Sequence, residues 1–133
     1  MPQSALSVVL WATDLDAFAA FLEGVLGAAT RERHPGFAAL VIDGAEILLH
    51  ADESYRGHPW FDALGEEGAA RGVGAEIRLR VGAVAERYRR ALELGAVSIQ
   101  EPHDDGGART CQLMGPDGYF FTLWEPSPAE PAD

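Results

Sequence analysis

The chain is expected to adopt an α+β fold made of two tandem βαβββ modules. Three observations predict it. The order strand, helix, strand, strand, strand occurs twice along 133 residues. Each helical stretch stops at a glycine in similar words, GVLGA at 24–28 and LELGA at 92–96. Each last strand follows an Asp-Gly turn, at Asp43-Gly44 and Asp117-Gly118. The offset between copies drifts from 68 residues at the glycine stops to 74 at the turns, as unequal loops require. Two copies imply a tandem duplication, because a solenoid needs more repeats to bury its faces.

In the first module (5–50), ALSVVLWA at 5–12 reads as a strand. Thr13 or Asp14 then caps a helix with Leu15, Phe18, Leu22, Val25 and Leu26 at helical spacing. Gly27 ends it, as glycine does just past a helix C-terminus. Three short apolar runs follow, at about 28–33, 37–42 and 45–50, and Asp43-Gly44 favours a type I′ hairpin between the last two. Residues 51–73, rich in Gly, acid and Arg, read as a linker. The second module (74–126) opens with the strand GAEIRLRV at 74–81. A helix marked by Val84, Tyr88, Ala91, Leu92 and Leu94 stops at Gly95, and strands follow at about 96–101, 108–114 and 119–124. The tail, 127–133, has no periodicity and is expected to fray.

Composition narrows the function classes. Ten Arg, no Lys and 21 Asp plus Glu give a net charge of -11. A polyanion would be repelled and no basic cluster offsets this, so nucleic acid is not an expected partner. The same acidity favours cationic ligands if a cleft focuses it, or simply keeps a small protein in solution. No apolar run is long enough to span a membrane. The single Cys111 and an N-terminus without a basic-then-apolar leader fit a soluble cytoplasmic protein.

Alternation along the strands sorts side chains onto two faces. Val8, Leu10, Ile47, Leu49, Ile77, Leu79, Phe121 and Leu123 form an apolar face for the helices. The other face carries Ser7, Val9, Trp11, Glu46, Leu48, His50, Glu76, Arg78, Arg80, Phe120, Thr122 and Trp124. The parity of the remaining strands is ambiguous. Trp11, His50, Phe120 and Trp124 are candidates to sandwich a planar or cationic group. Glu46 and Glu76 are candidates for a ligand cation, and Arg78 and Arg80 for a carboxylate or phosphate. Alternatively, these charges neutralise each other across strands while the tryptophans fill a subunit interface. The linker aromatics Tyr55, Trp60 and Phe61 should cover a cleft mouth or pack on a partner chain.

The stretches TDLDAFAAFLEGVLG, GVGAEIRLRV, ERYRRALELGA and GPDGYFFTLWEP, spread over residues 5 to 126, resemble the vicinal oxygen chelate superfamily. That group contains glyoxalase I, extradiol dioxygenases, fosfomycin-resistance enzymes and bleomycin resistance proteins. The resemblance implies U-shaped mixed sheets around a small-molecule cleft, formed in many members by a homodimer. It also implies up to four metal-ligand positions, which align here with Ser7, Leu48, Glu76 and Thr122. Leu48 offers no donor and two others are neutral hydroxyls, whereas a divalent ion normally needs about three good protein donors. No metal and no other cofactor is therefore expected. His34, His58 and His103 are read as loop histidines, and the HDD run at 103–105 as a loop cluster that does not converge on one ion.

Three functions follow from these residues. The favoured one is a binding protein, closest to the bleomycin-resistance branch, that sequesters an aromatic or cationic compound without a metal. The second is a lyase or isomerase with Glu76 as general base and Arg78 or Arg80 steadying an enolate. The third is a cleft serving only dimer assembly. Cys111, in an apolar strand, is read as buried and inert.

Overall fold

The computed structural model of the chain describes residues 5–65, 68 and 70–127. It contains eight strands and three helices among these residues, in two compact units, Met1–Arg71 and Gly72–Asp133. Each unit carries one four-stranded mixed sheet, and each runs βαβββ as the sequence predicts. The tail beyond Ser127 lies outside the described residues, as do Glu66, Glu67 and Ala69 of the linker.

In the first unit the elements are β1 (Ser7–Ala12), α1 (Leu15–Leu26), β2 (Ala29–His34), β3 (Phe37–Ile42), β4 (Ala45–Ala51) and α2 (Pro59–Gly65). The sheet order is β1-β4-β3-β2, with β1 parallel to β4 and the other pairs antiparallel. Asp14 caps α1 by accepting from the Ala17 N–H at 3.0 Å. Gly27, at φ 70°, sends its N–H to Glu23 O while Ala28 N–H reaches Leu22 O, which satisfies the last carbonyls of the helix. The stripe Phe18, Phe21, Leu22, Val25 and Leu26 is buried, and α1 packs on β3 and β4. Leu40, Ile47 and Leu49 meet it from the sheet, each 1% exposed or less. Asp43 (φ 43°) and Gly44 (φ 86°) are both left-handed, as a type I′ hairpin demands.

One expectation is corrected here. The run at 28–33 is not an apolar strand: β2 carries Arg31, Glu32, Arg33 and His34 and is exposed along its whole length. It is an edge strand, and charge at an edge discourages pairing with other chains. Its register shifts between Thr30 and Glu32, leaving Arg31 as a bulged residue. The segment 51–73 is also more structured than a plain linker. Ala51 ends β4, Asp52–Tyr55 form a 3-10 turn, and α2 follows.

In the second unit the elements are β5 (Glu76–Arg80), α3 (Val84–Glu93), β6 (Val97–Asp105), β7 (Ala108–Met114) and β8 (Phe120–Pro126). The order β5-β8-β7-β6, with β5 parallel to β8, repeats that of the first unit. Leu79, Val84, Ala91, Cys111, Leu113, Phe121 and Leu123 make its core. Leu92 and Leu94, read from the sequence as part of the helical stripe, are 39% and 42% exposed. The strand after α3 runs longer than expected. His103, Asp104 and Asp105 lie on β6 and not in a loop, and the turn falls at Gly106-Gly107, both at positive φ. An edge strand accommodates Pro102 because no partner needs its missing N–H, and the register shifts twice around it. Among the described residues, no helix is long and apolar enough to cross a membrane.

Candidate functional site

The pairing of β1 with β4 places Ser7 beside Glu46, Val9 beside Leu48 and Trp11 beside His50, on the face of the first sheet opposite α1. Glu46 is 8% exposed, and both of its oxygens are engaged. The Ser7 hydroxyl donates to Oε1, and Arg31 Nη2 lies 2.6 Å from Oε2. Arg31 sits at the bulge in β2, where strand alternation alone does not reveal that it reaches Glu46. The charge of Glu46 is thus matched within its own unit.

Trp11 is 6% exposed because the segment after β4 folds over it. The Tyr55 ring stacks on the indole at 3.6 Å between centroids and 8° between planes. His58 meets Trp11 edge-on at 5.4 Å, and Trp60 stands beside both rings while remaining 62% exposed. His50 lies between Phe37 at 5.0 Å and Tyr55 at 5.4 Å. Burial pushes the Tyr55 phenol above its ordinary pKa, and a hydrogen bond from Trp11 opposes the rise. The segment is fastened by Arg71, whose Nη1 and Nη2 donate to the two oxygens of Asp52 at 2.7 and 2.6 Å. The linker aromatics therefore cover the sheet face of the first unit itself. A wider hollow of about 630 Å³ opens beside the N-terminus of α1, but its charges are matched too, Arg33 pairing with Asp16.

The corresponding face of the second unit is more open. Here β5 against β8 pairs Glu76 with Phe120, Arg78 with Thr122 and Arg80 with Trp124. Gln112 of β7, opposite Thr122, completes the group. Its Nε2 donates to Glu76 Oε1 at 2.8 Å and to Thr122 Oγ1 at 3.3 Å. Glu76, Gln112 and Phe120, with Gly74 and Ala75, line a pocket of about 300 Å³. The Arg78 guanidinium carbon stands 4.4 Å from the centre of the Trp124 ring. The sequence reading missed Gln112 because it left the parity of β7 open. The apolar positions Cys111 and Leu113, both fully buried, carry the signal that turns Gln112 to the other face.

The resemblance implies a carboxylate at the position of Thr122, which stands directly opposite Arg78. A hydroxyl instead shares the Gln112 amide with Glu76. Taken unit by unit, the positions that the resemblance assigns to a metal do not offer a fitting donor set. Ser7 is bound to Glu46, Leu48 has no donor, and Gln112 holds Glu76 and Thr122. Among the described residues, no three His, Cys, Asp or Glu side chains cluster as metal ligands.

The comparisons with known proteins agree on the fold. Residues 7–124 match the family model described as a glyoxalase-like domain. No curated protein sequence matches the chain. Among solved structures, it is similar to a glyoxalase/bleomycin resistance protein/dioxygenase family enzyme from Burkholderia phytofirmans PsJN. That match has 23% identity over 90% of this chain and 95% of the other, with a TM-score of 0.72. It also resembles a glyoxalase/bleomycin resistance protein/dioxygenase from Nocardioides, at 22% identity, 100% and 90% coverage and a TM-score of 0.67. A genomically encoded fosfomycin resistance protein, FosX, from Listeria monocytogenes matches at 19% identity, 98% and 97% coverage and a TM-score of 0.69.

Proposed function

This chain belongs to the glyoxalase-like domain family, and on that premise we propose that it is a small-molecule-binding protein that holds an aromatic or cationic compound without a metal ion. The observation that carries the proposal is the chemistry at Ser7, Glu76 and Thr122, whose side chains are held in hydrogen bonds to protein groups, and at Leu48, which has no donor. The ligand face is that of the second unit. Phe120 and Trp124 offer aromatic surface, and Glu76 is an exposed carboxylate for a ligand cation. In the first unit, by contrast, Tyr55 occupies the face of Trp11 and Glu46 is matched by Arg31, so those two residues support the fold of the site. A homodimer, which the resemblance implies, and a cytoplasmic location, which the composition suggests, are part of the same proposal; sedimentation at micromolar concentration tests the dimer.

The direct test is a titration of chelator-treated protein with planar aromatic amines, followed by tryptophan emission. The expected result is saturable quenching that Glu76→Gln weakens for amines more than for neutral aromatics. An emission spectrum that no member of the panel alters would refute the proposal.

A second reading has one observation in its favour. Gln112 fixes the Glu76 carboxylate in the lining of the pocket of about 300 Å³, as a general base must be fixed. In that reading the chain is a lyase or isomerase in which Glu76 removes a proton next to a carbonyl. Turnover that persists in the Glu76→Gln variant would eliminate it.

A further inference from the structure

Acidic residues outnumber arginines by 21 to 10, so every arginine has carboxylates to choose from. Six of the ten hold one: Arg31, Arg33, Arg56, Arg71, Arg90 and Arg109. Of the other four, Arg87 donates to the Gly82 carbonyl, and Arg89 on α3 joins Arg78 and Arg80 in holding no carboxylate among the described residues. Arg78 and Arg80 alternate on one face of β5, both are exposed, and neither has an acidic partner among the described residues. Their neighbours across the ladder are Thr122 and Trp124, neither of them an acid. The one carboxylate on the same strand face, Glu76, accepts from Gln112. Two like charges about 7 Å apart along a strand, with no countercharge among the described residues, form an incomplete ion pair.

The Arg78 guanidinium is also positioned. It lies over the Trp124 ring at 4.4 Å, which restrains the long side chain and leaves its N–H edge free of any other protein partner among the described residues. A guanidinium fork held over an aromatic ring has the shape and charge to bind the two oxygens of a carboxylate, phosphate or phosphonate.

We infer that Arg78 and Arg80 form an oxyanion-binding subsite on the ligand face of the second unit, and that the natural ligand carries such a group. The inference rests on the reading of that face as a ligand site, and it adds an anionic group to a ligand otherwise defined by aromatic and cationic contacts. An amphoteric compound would satisfy both ends of β5, its cation at Glu76 and its anion at Arg78 and Arg80. The chain's long-range field opposes anions, so the subsite must act through short-range bidentate contacts rather than by attraction from solution.

Calorimetric titration of the full-length protein with phenylphosphonate, benzoate, inorganic phosphate and benzylamine tests this. Phenylphosphonate or benzoate should bind at one per chain. Arg78→Gln should weaken it at least 10-fold, Arg78→Lys should restore only part of the loss, and the double variant with Arg80→Gln should abolish it. Both residues are exposed, so these variants should fold, and an unchanged circular dichroism spectrum confirms that. Preference for phenylphosphonate over benzoate marks a phosphoryl-type ligand and the reverse marks a carboxylate. Inorganic phosphate binding as tightly as phenylphosphonate marks the free ion as the ligand. Binding of benzylamine without any anion would overturn the inference and leave the wider ligand proposal standing. Anion binding that survives in the double variant would also overturn it. So would a double variant that self-associates more while no anion binds the parent protein, because the arginines would then be guards of an edge strand.

Discussion

Gly72 opens the stretch GVGAEIRLRV, and the structure gives it a steric role that can be measured. A Cβ built on Gly72 would fall 2.7 Å from Tyr119 Cα and 2.9 Å from Gly118 C, and closer still to the Gly118 carbonyl oxygen. All three atoms are backbone, so no rotamer change relieves the overlap. Tyr119 Cα would have to retreat by at least 0.3 Å to reach the 3.0 Å that real Cβ contacts respect. That turn is held by Gly115 N–H to Tyr119 O at 2.8 Å and by Asp117 and Gly118 in left-handed conformations. Gly72→Ala should therefore destabilise by about 3 kcal/mol, the upper part of the usual range for overpacking. In thermal melts this corresponds to a fall of roughly 10 °C for a chain of this size. Gly74→Ala is the control. Its added methyl would meet nothing within 4 Å, but its φ of 95° is strained for alanine. It should cost about 1–2 kcal/mol. Urea unfolding followed by tryptophan emission reads both. A Gly72→Ala loss below about 1 kcal/mol, or one no larger than that of Gly74→Ala, would refute the reasoning.

The Cys111 thiol is pushed up to about 11 by burial, against a smaller lowering by the Leu123 backbone. Ellman's reagent at pH 8 should leave the native protein unlabelled for hours and label it at once in urea; fast native labelling would contradict this. The unfolded chain releases that proton near 9.0 and the folded chain near 11, so this group costs stability as pH rises through that window and contributes no pH dependence well below it. Arg71→Met leaves Asp52 without its bidentate partner and should cost about 2 kcal/mol, between the ranges for exposed and buried pairs; unchanged urea stability would show that the clasp is not needed. Tyr55→Ala removes the ring over Trp11 and should cost about 0.5–1.5 kcal/mol beyond lost burial, with greater acrylamide quenching of tryptophan emission. Quenching equal to that of the parent would contradict the stack.

Much of this structure was legible in the sequence, for identifiable reasons. The glycine stops and Asp-Gly turns are local signals that depend on left-handed backbone, and Gly27, Gly44, Gly95 and Gly118 all have positive φ. Strict alternation located the core of β1, β4, β5 and β8. β2 and β6 are harder to read because none of their residues is buried. The pattern at 28–33 reads as an apolar run although β2 is charged, and the strand signal for β6 stops before Pro102. The candidate site was legible only one residue at a time. Glu46 and Glu76 stood out, but their partners Arg31 and Gln112 lie on β2 and β7. The first sits at a bulge, and the second on a strand whose parity the sequence reading left open. Nor does spacing reveal that Tyr55 folds back on Trp11, because that contact depends on how a 3-10 turn leaves β4.

The most direct test of a metal-free ligand site is calorimetric titration of metal-stripped protein with nickel, manganese, iron(II) and zinc. The account predicts no binding tighter than about millimolar, on the order of 4 kcal/mol, since Ser7, Glu76 and Thr122 are held by Glu46 and Gln112 and Leu48 cannot coordinate. A micromolar site near one ion per chain, lost in the Glu76→Gln variant, would contradict it.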